Sequence, residues 1–208
     1  PFSIPENGKI KKRGYNSGAL AIPQAYTATL YLEDNGIVTQ LDESIVFDVK
    51  PIRKGVLQGV SHQEYGEYRN NLSALIKKLD VLEDVLERSE QKLMALKVAL
   101  NNSNIVPGEI NKEIQALQKE AIAIKKSVEG SPSKDEIGER TPPGIQTHLR
   151  VAYRGMMSTY GPTPLHQKSM ALAKKMTLKI EAKITSLQND KIKPLEQKLK
   201  TLGAPYIQ

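Results

Sequence analysis

SHQEYGEYRNNLSALIKKLDVLEDVLERSEQKLMALKVALNN, residues 61–102, is the stretch whose reading decides the fold. Within it Tyr65, Tyr68, Leu72, Leu75, Leu79, Leu82, Leu86, Ser89, Leu93, Leu96 and Leu100 recur at spacings of three and four without a break, and only Ser89 is polar. A repeat averaging 3.5 residues keeps one narrow stripe of a helix turned toward a neighbouring helix, as in coiled-coil packing. Ser61 is a good N-cap, and Glu64 three residues later completes a capping box. The spacing predicts a helix over 61–101, about 60 Å long at 1.5 Å per residue.

Three further helices follow from the same arithmetic. Ile110, Ile114, Leu117, Ala121, Ile124 and Val128 define one over 109–128, stopped by Gly130-Ser131-Pro132. A polar loop runs to Arg140, and Thr141-Pro142 supplies a cap and first-turn proline for a helix over 141–159 with Ile145, Leu149, Ala152, Tyr153 and Met156 inward. Tyr160-Gly161-Pro162-Thr163-Pro164 is the sharpest break. A last helix over 163–202 carries Leu172, Met176, Ile180, Ile184 and Leu187, then Leu195, Leu199 and Leu202, with Gly203 as its C-terminal cap. Its stripe slips between Leu187 and Ile192, where the spacing becomes five, and Pro194 removes a backbone donor just beyond, which predicts a kink near Asn189-Asp190.

The first sixty residues differ. AYTATLYLE (25–33) alternates as a half-buried strand does, Asp34-Asn35-Gly36 is a hairpin turn, 37–41 returns, and SIVFDVKPI (44–52) reads as a third strand. Residues 1–24 are rich in Gly and Pro, with a basic knot at Lys9, Lys11, Lys12 and Arg13. Three short strands bury little, so they read as the closing part of an Ig- or Fn3-like sandwich or as a cover for the helices. The expected chain is thus mainly α (α+β overall): a β-rich unit over 1–60, then an elongated antiparallel four-helix bundle over 61–208. Short connections make sequence neighbours antiparallel, so the two long helices are expected to form an antiparallel pair.

Composition narrows the chemistry. Lys plus Arg minus Asp plus Glu is 30 − 23 = +7, but the lysines are spread along helices and no recognition-helix or RNP-like pattern accompanies them, which argues against nucleic acid. Cysteine is absent, which excludes disulfides and thiol chemistry. No apolar run approaches a membrane span. His62, His148 and His166 share no metal-ligand spacing, so no metal is expected. Glu83, Asp84, Glu87 and Glu90 lie along one helix among lysines and read as solvated charges, not as two carboxyls facing across a sugar. No nucleophile elbow, P-loop or dinucleotide fingerprint is present, and neither catalytic residues nor a cofactor are expected. The stretch 153–164, YRGMMSTYGPTP, is more specific than packing requires. It marks a possible binding corner of Arg154, Tyr160, Thr163 and His166, with Glu139 and Arg140 from the preceding loop.

In the order AYTATLYLEDNGIVTQL…VFDVKPIRKGVLQG, VPGEINKEIQALQKE, SKDEIGERTPPGIQTHL and STYGPTPLHQKS, the chain resembles the C-terminal region of bacterial (Bacteroidetes-type) sortilin-like or BNR-repeat β-propeller proteins, often labelled glycosyl hydrolase. The resemblance spans nearly the whole chain. It implies an upstream propeller and a small sandwich before the helices, which fits a chain opening at Pro1 instead of Met. It also implies export, to periplasm, cell surface or medium. It carries no catalytic residue onto this chain. The expected role is a non-catalytic structural or interaction module, monomeric or weakly dimeric. Its implied partner is the propeller of the same chain, with a glycan or cell-surface protein as a further one. The alternative is an accessory part of a glycoside hydrolase whose active site lies in the propeller.

Overall fold

The computed structural model describes residues 21–52, 58–158 and 160–205. The basic knot at Lys9–Arg13, Tyr15, Gly55, Thr159, Tyr206 and Ile207 lie outside them. The chain divides into two compact units, Pro1–Val56 and Leu57–Gln208. It is mainly α, a helical bundle accompanied by a small antiparallel β unit, the class that periodicity and composition predict.

The bundle contains α1 (His62–Asn101), α2 (Gly108–Glu129), a short α3 (Pro132–Glu136), α4 (Ile145–Met157), α5 (Pro164–Ser186), a π-helical turn (Leu187–Ile192) and α6 (Lys193–Thr201). The capping box at Ser61 forms as predicted: the Glu64 N–H donates to the Ser61 hydroxyl at 3.1 Å, and the Ser61 N–H donates to the Glu64 carboxylate at 2.9 Å. The Ser61 backbone N–H, and then its hydroxyl, hold the Glu64 carboxyl below its ordinary pKa. Its contribution to the cap is therefore present above the unfolded-state pKa and fades as pH falls through the lowered one. From Tyr68 to Leu100 every position of the predicted stripe is buried, Ser89 included. Removing each leucine from water contributes about 1.5–3 kcal/mol, so this stripe dominates the stability of α1.

The direction of the second long helix differs from expectation. Val60 N–H donates to the Tyr160 carbonyl, Lys78 pairs with Glu181, Gln188 donates to Ser89 and Lys92 pairs with Glu196. Residue numbers rise together, so α1 and α5–α6 run parallel. The return pass is shared. α2 lies antiparallel to α6, with Glu113 on Lys198 and Glu120 on Lys191, and α4 lies antiparallel to α1, with Gln146 on Glu83 and the Tyr65 hydroxyl on the Met156 carbonyl. The four helices thus make three passes: up, down in two segments, and up. The reason is length. At 1.5 Å per residue the 22 residues of α2 and the 13 of α4 together span about 50 Å, close to the reach of α1.

That arrangement requires α4 to start where α2 stops. Gly144 and Gly130 lie backbone against backbone: a Cβ on Gly144 would stand 2.6 Å from both the Gly130 nitrogen and the Val128 oxygen. The chain leaves the bundle at Gly130, makes a surface loop containing α3, and returns to the same spot. This also explains why the third helix starts later than Thr141. Gly144 is its N-cap, and Pro142 and Pro143 hold their preceding residues extended while the loop closes.

The slip in the last stripe takes the form of a π turn. An inserted residue changes the local bonding from four to five, and the Lys193 N–H reaches the Gln188 carbonyl. Leu187 and Ile192, five apart, are both buried as a result, and so are Leu195 and Leu199. Opposite this turn, Ser89 donates to the Val85 carbonyl at 2.8 Å and accepts from Gln188 at 3.2 Å, which satisfies the one polar member of the α1 stripe. At the end of α6 Gly203 takes φ +80, its N–H bonding Lys200 and that of Ala204 bonding Leu199, a Schellman cap.

The first half of α5 differs from expectation at single positions. Leu172 is exposed, and the buried residues are Ser169, Ala173 and Thr177. Ala152 and Gly155 of α4 are buried too, and such small residues allow neighbouring helices to approach closely. A Cβ on Gly155 would stand 3.0 Å from the His166 ring. Tyr153, assigned inward, is 39% exposed.

Tyr68 ties α1 to α4 through its hydroxyl, which donates to the Ala152 carbonyl at 2.7 Å. Burial pushes its phenol above the ordinary pKa. A raised folded-state pKa gives stability that is complete below the unfolded-state value, near 10, and is lost as pH rises through the higher one. Tyr68→Phe is expected to cost about 1 kcal/mol in urea melts at neutral pH. It should also flatten the loss of stability above about pH 10; an unchanged alkaline profile would exclude Tyr68 as its source.

In the β unit, β1 (Ala25–Ala28) pairs antiparallel with β4 (Ile45–Asp48), and β2 (Tyr31–Asp34) pairs with β3 (Ile37–Gln40). The predicted first strand is therefore two, and the predicted third strand pairs with its first half. Partner numbers sum to 73 in one ladder and 71 in the other, so two extra residues, at Asp42-Glu43, bulge on the returning arm. Thr29 and Ser44 hydroxyls bond at 2.6 Å across the step. Asn35 and Gly36, both at positive φ, make the tip. Among the described residues the ribbon is two strands wide.

Candidate functional site

The corner between α4 and α5 is built by close approaches. Gly161 sits at φ +86, and a Cβ there would meet a Val60 methyl at 2.2 Å. One on Gly59 would meet the Tyr160 oxygen at 2.7 Å. The segment before α1 is thus pressed against Tyr160-Gly161, which is the packing reason for the glycine in STYGPTP. Thr163 and His166 form the capping box of α5: the Thr163 N–H donates to His166 Nδ1 at 3.1 Å, while the Thr163 side chain accepts from the His166 N–H. With Nδ1 accepting, the neutral ring carries its proton on Nε2. Thr163 and His166 therefore have a structural task, and the imidazole also covers Gly155.

Of the six residues singled out, Tyr160, Thr163 and His166 share the corner. Tyr160 is about half exposed, and Arg154 lies exposed on the last turn of α4. Glu139 and Arg140 lie elsewhere. Their loop is stapled at Gly130/Gly144, the start of α4, and the corner follows its end, about 18 Å along the helix axis. Within the loop the Lys134 ammonium pairs with the Glu139 carboxylate, and the Glu139 N–H bonds the Lys134 carbonyl. Glu139 is thus occupied locally.

Elsewhere, among the described residues, no three His, Asp or Glu side chains stand together as a metal site would require, and no helix is long and apolar enough to cross a membrane. The β ribbon is the feature that sequence reasoning underrated. Leu30, Tyr31, Leu32, Ile45, Val46 and Phe47 are all about half exposed or more, with Val46 and Phe47 on opposite faces. Tyr26 stacks on Phe47 with ring centroids 6.1 Å apart, and its hydroxyl bonds both the N–H and the carbonyl of Ile22 at 2.9 Å. The alternation in the sequence predicts one buried face, whereas both faces of the ribbon are exposed.

Comparisons with protein-family models, with curated proteins and with solved structures give no match.

Proposed function

We propose that this chain is a non-catalytic structural and interaction module of a large exported β-propeller protein. The observation that carries the reading is the ribbon: two strands exposing Leu32, Ile45, Val46 and Phe47 on both faces are marginal in water, and such faces mark a surface made to be covered. The covering partner that fits the resemblance is the β-rich body of the same protein, with the bundle as a stiff brace or docking element. The accessory-hydrolase reading needs Tyr160, Arg154 and the 129–140 loop around one cleft, and the length of α4 between them weakens it.

The test compares the parent protein, intact and lacking residues 61–208, for glycan binding and hydrolysis. Full activity without the bundle is the expected result, and abolished activity would transfer support to the accessory reading. A second arm substitutes Val46 and Phe47 by Lys and follows limited proteolysis of the parent. Faster cleavage at the ribbon is expected, and an unchanged pattern would remove the covering role.

A further inference from the structure

The three-pass bundle leaves a groove between its two parallel helices, on the side away from α4. The groove contains a cleft of about 370 Å³, floored by Ala74 and Leu75 of α1 and by Met170, Ala171 and Leu178 of α5. A smaller cleft lies farther along the same α1 flank, against α6, at Ala95 and Ala99.

α1 is patterned for this flank as it is for the core. Positions 74, 78, 81, 85, 88, 92, 95 and 99 repeat at four and three, a second stripe beside the leucines. Ala74, Val81, Val85, Ala95 and Ala99 are its apolar members, and Val81 remains 60% exposed, as Leu178 across the groove remains 52% exposed. Alanines at both ends let a further helix approach closely, and the exposed Val81 and Leu178 are the apolar side chains it would cover.

The charged members of the stripe are all basic: Lys78, Arg88 and Lys92. The facing carboxylates are already engaged, Glu181 by Lys78 at 2.7 Å and Glu196 by Lys92. Lys174, on the rim of the larger cleft, and Arg88 make no ion pair among the described residues. The unmatched charge of this apolar groove is thus positive, on both helices.

We infer that the α1–α5 groove is a docking site for an amphipathic helix of a partner protein, apolar along its inner stripe and flanked by Asp or Glu, which would complete a four-helix cross-section. Apolar anchors at three- and four-residue spacing are how a groove between helices reads its ligand, and the groove's unmatched cations favour a helix flanked by carboxylates over a basic one. The site stands independently of the β ribbon and its partner.

The experiment uses the full chain and a fluorescein-labelled peptide of about three heptads with leucine at a and d and glutamate at e and g, whose like charges discourage self-pairing. A twin with lysine at e and g is the control. Saturable binding of the glutamate peptide, at least about tenfold tighter than its twin, is expected by fluorescence anisotropy. Ala171 and Lys174 are both exposed, so Ala171→Glu with Lys174→Glu is tolerated by the fold and should weaken binding at least about tenfold. Lys119→Glu with Lys126→Glu on α2 makes the chain more acidic still, by four charges against three, but away from the groove, and should leave binding within about twofold. Equal binding of the two peptides, or equal loss in the two double variants, would overturn the inference. So would a wild-type dimer in sedimentation that Ala171→Glu dissociates, because a second copy would then be the occupant.

Discussion

Gly144→Ala is expected to cost about 3 kcal/mol and to lower the melting temperature by about 6–12 °C. The added methyl has no flexible neighbour to displace: the atoms 2.6 Å away are the Gly130 nitrogen and the Val128 oxygen, both backbone. Relief requires the end of α2 and the start of α4 to separate, which opens the staple that places the two segments in line. Gly108→Ala is the matched control, because nothing lies within 4 Å of a Cβ there and the change removes only unfolded-state freedom. That variant should melt at or slightly above the parent. If Gly144→Ala melts with the parent in circular dichroism at 222 nm, the two stems do not meet and the shared return pass is wrong.

Leu93→Ala is expected to cost about 2–5 kcal/mol, through lost burial and the cavity left in the core. Leu93 is fully buried, while its chain neighbour Met94 is 62% exposed, so Met94→Ala should stay within about 0.5 kcal/mol. Urea unfolding of both variants gives the comparison directly. Similar losses at the two positions would mean that the stripe does not face the core.

Much of the bundle was legible because its signals are local and periodic. α1 was readable to within a residue from its cap and its unbroken stripe, and the five-residue step from Leu187 to Ile192 pointed to the irregular turn. What was not legible depends on contacts distant in sequence. The parallel course of α1 and α5 follows from α2 and α4 adding up to one pass, and nothing in the sequence between them says whether a 15-residue connection reverses the chain or resumes it. The inward residues of α5 are not legible because Ser169, Ala173 and Thr177 are small or polar, and a stripe of large apolar residues does not mark them. At the corner, the specificity of STYGPTP was readable and its reason was not. Gly161 is accounted for by a methyl of Val60, about a hundred residues away in the sequence, whereas His166 caps its helix with Thr163 and also covers Gly155.

An odd number of passes has a mechanical consequence. The chain enters α1 at Ser61 beside Tyr160 and leaves α6 beside Ala99, at the opposite pole. Tension applied through these two points runs along the helix axes, so it must slide whole stripes of leucine past one another before any helix can unwind from its end. A four-pass bundle, with both ends at one pole, would instead be peeled open one contact at a time. The geometry therefore sets the two ends of the bundle about 60 Å apart along the helix axes, the arrangement in which a pull is met by shear.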